Sequence, residues 1–187
     1  GIQRMNDLSR RNFIASTGLG LAGLAAGGVL LSPRQAHAVS LPLKILTKVQ
    51  ALTLGALGEA LVPGALEAGI IQYVDKQLGE ANTLLMLKYL GVDTSNMPGF
   101  YSSSLDSAHS LSQRLFNKSP EALTADQAQV WAGSIAADAD QEWQGPPAGF
   151  FFFVARADAC DVVFGSSAGS EALNIPYMAH IAPTASW

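Results

Sequence analysis

Gly145-Pro146-Pro147-Ala148-Gly149-Phe150-Phe151-Phe152-Phe153-Val154-Ala155-Arg156-Ala157-Asp158-Ala159-Cys160-Asp161-Val162-Val163-Phe164-Gly165 is the stretch on which the architecture turns. Its Gly/Pro-rich opening is a hard break, and a single helix is predicted to follow and to end at Gly165. Four consecutive phenylalanines, at about 100° per residue, point around more than half of that helix. Phe150, Phe153, Ala157, Cys160 and Phe164 form one stripe, expected to fill the core, and Phe151 and Phe152 lie off it and need another cover. Two readings stand: a central helix buried on all sides, or a face that docks on a larger protein.

Working upstream, helical patterns dominate. Leu43, Leu46, Val49, Leu52, Leu57 and Leu61 recur at amphipathic spacing, with Lys44, Lys48 and Gln50 off the stripe, so a helix is expected over 41–61. Pro63-Gly64 ends it. A helix over 66–78 follows, with Ile70, Val74 and Leu78 inward, Asp75, Lys76 and Gln77 facing water, and Gly79 as a left-handed cap. Another is expected over 82–90, capped by Asn82 and stopped by Gly91. Residues 92–104 carry Asp, Asn, Pro, Gly and serines and read as a loop. A helix over 105–116 has Leu105, Leu111, Leu115 and Phe116 inward, with His109 as a partly exposed residue. Thr124 and Gln127 form a capping box for a helix to about Asp138, with Val130, Trp131 and Ile135 inward. Asp138, Asp140 and Glu142 lack the Gly turn and spacing of a calcium loop and read as a solvated acidic stretch. The fold class is therefore all-α, an irregular bundle of about six helices.

Downstream, residues 166–187 lose any usable period yet hold Ile175, Pro176, Tyr177, Met178, His180, Ile181 and Trp187. An apolar, proline-stiffened tail of this kind is expected to lie extended on this domain or on a partner. At the other end, Ser9-Arg10-Arg11-Asn12-Phe13-Ile14 precedes a glycine-rich apolar run to Leu31 and then Ala36-His37-Ala38. The arginine pair, with Phe13 and Ile14, resembles a twin-arginine (Tat) export signal. Ala36 and Ala38 fit a signal-peptidase site, and Met5 could be the natural start. The run also approaches the length of about 20 residues that spans a bilayer, which leaves an uncleaved anchor as an alternative. The expected organisation is a signal over 1–38, a helical domain over 39–165 and a partner-binding tail over 166–187.

The full chain holds 11 basic and 15 acidic residues. Arg4, Arg10, Arg11 and Arg34 fall before residue 39 against only Asp7, so the remainder is strongly acidic. That balance argues against a nucleic-acid partner or a polybasic membrane patch. The single cysteine, Cys160, cannot form an internal disulfide and reads as a small buried hydrophobe, with an intermolecular bridge as the minority reading. No Cys-x-x-Cys-His occurs for haem attachment, and no Gly-x-Gly-x-x-Gly for a dinucleotide. His109 and His180 have neither nucleophile nor metal-ligand context. No catalytic, cofactor-binding or metal residues are therefore assigned on this chain.

Glu59-Ala60-Leu61-Val62-Pro63-Gly64 with Tyr73-Val74-Asp75, the Phe150–Phe153 run, and Asp161-Val162-Val163-Phe164-Gly165 with Leu173 to Pro183 and Trp187 resemble the gluconate 2-dehydrogenase subunit 3 family. Residues 82–144 match it weakly. The resemblance implies a non-catalytic small subunit of a periplasmic dehydrogenase complex. Its partner would be a large flavoprotein of the glucose-methanol-choline (GMC) oxidoreductase type, which holds the FAD and oxidises an alcohol or sugar. A c-type cytochrome often completes such complexes as a third subunit bearing haem and gives them a membrane association. In such systems the small subunit carries the export signal and takes the folded partner through the Tat translocase. The implied partner contacts fall on Phe151, Phe152, Ile175, Pro176, Tyr177, Met178, His180, Ile181 and Trp187. The alternatives are a stand-alone periplasmic helical enzyme or ligand-binding domain, and a membrane-tethered scaffold with its signal uncleaved.

Overall fold

A computed structural model describes residues 42–165, together with Ser40 and the pairs Ala25–Ala26 and Val29–Leu30. Ser9, Arg10, Arg11, Phe13, Ile14, Ala36 and Ala38 of the expected signal lie outside the described residues, as do Ile175, Pro176, Tyr177, Met178, His180, Ile181 and Trp187 of the tail. Ala25–Ala26 pairs antiparallel with Val29–Leu30, and no other sheet occurs among the described residues. The domain itself is all-α. Its helices are α1 (Lys48–Leu61), α2 (Ile70–Leu78), α3 (Met86–Tyr89), α4 (Met97–Phe116), α5 (Ala125–Ala136) and α6 (Ala148–Phe164). The helix opened by the phenylalanine run is central: α6 packs against each of the other five.

The α1 helix begins later than its leucines suggest. Thr47 caps it, its side chain accepting from Gln50 N–H while the Gln50 side chain accepts from Thr47 N–H, a capping box. Gln50 also donates to Asp106 on α4 (3.0 Å), so it is buried while Val49, expected inward, is half exposed. Gly55 and Gly58 let α2 close on α1, since a Cβ on Gly55 would sit 2.9 Å from Leu66 Cδ1 and 3.0 Å from Ile71 Cδ1.

Asp75 does not face water. Its carboxylate is buried and accepts from the backbone N–H groups of Lys44 (2.8 Å), Ile45 (2.9 Å) and Leu46 (2.8 Å), clamping the non-helical segment ahead of α1 onto α2. Charge-assisted bonds to three otherwise unpaired donors offset the cost of burying the carboxylate. Residues 65–69 form turns, so α2 starts at Ile70. Gly79 caps it in the right-handed region, contrary to the left-handed cap expected. Asn82 is not a helix cap; it accepts from Lys88 Nζ, and α3 is a single turn behind buried Leu85.

The largest departure is α4. Residues 97–104 are helix, not loop, and Met97, Phe100, Tyr101 and Ser104 are buried. Pro98 fits the first turn, where its missing N–H is not needed. Ser103 turns its hydroxyl back to Gly99 C=O (2.8 Å), so it satisfies itself within the helix. Leu115 and Val130, both expected inward, are largely exposed. The Thr124 capping box stands as predicted, and Trp131 fills the core with its indole N–H on Ala108 C=O (2.9 Å).

Candidate functional site

The start of α6 is built by the break before it. Gly145 takes a φ of 103°, Trp143 donates its indole N–H to Pro146 C=O (2.7 Å), and Asp138 accepts from Ala148 N–H (2.8 Å). Asp140 pairs with Arg114, and Glu142 stands 3.7 Å from the same guanidinium. The acidic stretch thus fastens loop to helix, and no group of three His, Cys, Asp or Glu fit for a metal occurs among the described residues.

With the helix start fixed, the phenylalanines sort in a way their spacing alone mis-assigned. Phe151 is the core residue: it is fully buried, edge-on to Tyr101 at 6.0 Å and within 6.2 Å of Phe100 and 6.1 Å of Trp143. That burial places it in the core, not at the surface expected of a partner contact. Val154, Ala155, Asp158 and Ala159 continue the buried face. Phe152 is half-buried, beside Arg156, Leu61 and Gly133 in a shallow surface groove of about 280 Å³. The stripe expected inward faces outward instead, with Phe153 51% and Phe164 40% exposed. Phe150 stays at the rim, edge-on to Phe100 at 5.5 Å.

Beneath that surface lies a polar centre that the apolar spacing hid. Asp158, fully buried, accepts from the Tyr101 hydroxyl and from Met86 N–H (2.8 Å), the first residue of α3. Burial pushes its carboxyl up to about 6, against the two hydrogen bonds that favour the anion. Burial and the neighbouring Asp158 raise the Tyr101 phenol well above its ordinary value. Tyr73 is pushed up to about 12 by burial and then by Asp158 and Asp161. Asp158 ties α6 to α3 and α4 at once. An aspartate set within an otherwise apolar stretch of helix was the signal for it.

A second groove, about 250 Å³, runs between α1 and α5 past Pro120. Glu59 on its edge accepts from Gly64 N–H (3.0 Å) and Leu66 N–H (3.2 Å), closing the Val62-Pro63-Gly64 turn. Glu59, Gly64 and Asp75, all within the quoted motif, are therefore joints between the first two helices.

The sequence profile of the gluconate 2-dehydrogenase subunit 3 family matches residues 48–179. The chain belongs to that family. The match runs from α1 through α6, so it takes in the middle helices whose resemblance was weak, and it reaches past Gly165 into the tail. No curated protein and no solved structure gives a significant match. Gluconate 2-dehydrogenase subunit 3, as the name says, is one subunit of a dehydrogenase made of several, which implies partner subunits for this chain.

Proposed function

We propose that this subunit 3 homologue is the non-catalytic small subunit of a periplasmic flavin-dependent alcohol or sugar dehydrogenase complex. It stabilises a large GMC-type flavoprotein, which holds the FAD, and carries it through the Tat pathway. The family match over 48–179 is the observation that carries this reading. Three further features support it. The Arg10-Arg11 pair stands ahead of an apolar run. The apolar tail continues the matched region. Phe152 is half-buried at the surface of α6, where aromatic side chains favour partner contacts.

The Arg pair tests the carrier role. Replacing Arg10→Lys together with Arg11→Lys should leave both this chain and its flavoprotein in the cytoplasm, read by cell fractionation and by dehydrogenase activity in the periplasm. Normal export of the flavoprotein in that double variant would overturn the carrier role.

A further inference from the structure

We propose that the outward face of α6 is a seam on which a second copy of this chain docks, helix against parallel helix. Phe150, Phe153, Ala157, Cys160 and Phe164 are separated by alternating steps of three and four along this 17-residue helix. That is the heptad spacing of a two-stranded coiled coil, with the five residues at a and d positions. The seam lies on the side of the helix away from the buried Phe151, Val154, Ala155, Asp158 and Ala159; Phe153 and Phe164 are exposed, and Ala157 and Cys160 are half-buried, Cys160 at the edge of the core. Ala157 and Cys160, at its middle, are small enough to let two helices approach closely.

The flanking charges identify the occupant. Arg156 falls at a g position and Asp161 at the following e position, five residues on. In a parallel pair, g of one helix meets that e of the other, so Arg156 would face Asp161 of the second copy, and the two-fold axis makes the pair twice. Both residues are exposed, and neither forms an ion pair among the described residues. An antiparallel pair matches g with g and e with e, so Arg156 would not meet Asp161, and the charge pairing selects the parallel arrangement. The helix is already folded within its domain, so docking does not have to order it. A seam of this length alone is small against the roughly 1,200–2,000 Å² of stable interfaces, which places association in the micromolar range or weaker.

Light scattering on the natural processed chain, over a concentration series and without its flavoprotein, should show a shift from monomer to dimer. Phe153→Asp, at a solvent-facing position, should abolish the dimer with the helical circular dichroism unchanged. Arg156→Asp should weaken it about tenfold, and Arg156→Asp with Asp161→Arg should restore it. Cys160 at a d position faces its own counterpart across the axis. Diamide should therefore join the two thiols, the two protons and two electrons passing to the azo group to give the hydrazide and a covalent dimer. A monomer at every concentration overturns the proposal. So does a dimer that withstands Phe153→Asp and yields no Cys160 bridge. Capture of the flavoprotein is scored separately by co-purification, so failure here and failure of the dehydrogenase reading are told apart.

Discussion

Asp158 stores its proton where an unfolded chain would release it. Its carboxyl titrates near 6 in the fold, against about 3.9 for an unperturbed aspartate. Between about pH 4 and 6 the folded state therefore binds the proton that the unfolded state has lost. This group's contribution to stability is largest below that window, falls as pH rises through it, and is flat above. The difference is on the order of 2–3 kcal/mol. The urea midpoint should accordingly be higher at pH 5 than at pH 7, and Asp158→Asn should flatten that slope. Met86 N–H keeps an acceptor on Asp158 in either protonation state, whereas the Tyr101 hydroxyl must turn to re-pair with the protonated carboxyl, so the tie between α6 and α4 is the pH-dependent contact.

Among the elements, α6 shows how far spacing alone reaches. The break at Gly145-Pro146-Pro147 and the length of the helix were legible, because Gly, Pro and a long apolar run act locally, while its central place stood as one of two readings. Which side faces inward was not, because an all-round apolar helix carries no amphipathic signal. The rings of Phe100, Tyr101 and Trp143, from other parts of the chain, settle it on Phe151. Phe151→Ala should thus cost about 3–5 kcal/mol in chemical denaturation. Phe153→Ala, half exposed, should stay within about 0.5 kcal/mol. The first turns of α4 went unread for the opposite reason: serines and Pro98 look loop-like, but the buried Met97, Phe100 and Tyr101 recover more by packing than those residues lose in propensity. The Thr47–Gln50 capping box repeats the Thr124–Gln127 pattern, yet the leucines ahead of it drew the expected helix start back to 41. The joints at Glu59 and Asp75 came through the family resemblance as motif residues, but their role needed the fold, since each binds backbone groups far along the chain or across a turn.

At the scale of the whole molecule, the described residues 42–165 form one core, with Leu54, Leu57, Ile71, Tyr101, Trp131 and Phe151 fully buried. Deleting Ile175 to Trp187 should leave helical content and melting behaviour nearly unchanged while releasing the flavoprotein in co-purification. Retention of the flavoprotein by the truncated chain would move the contact elsewhere.

The clamp at Asp75 has a mechanical consequence. Tension on the segment just ahead of α1 loads Lys44, Ile45 and Leu46, whose three N–H groups converge on one carboxylate. A tug there is shared among three bonds anchored in α2 and does not peel α1 open from its first turn. The lead-in to α1 is thus held by α2 independently of α1's own first turn.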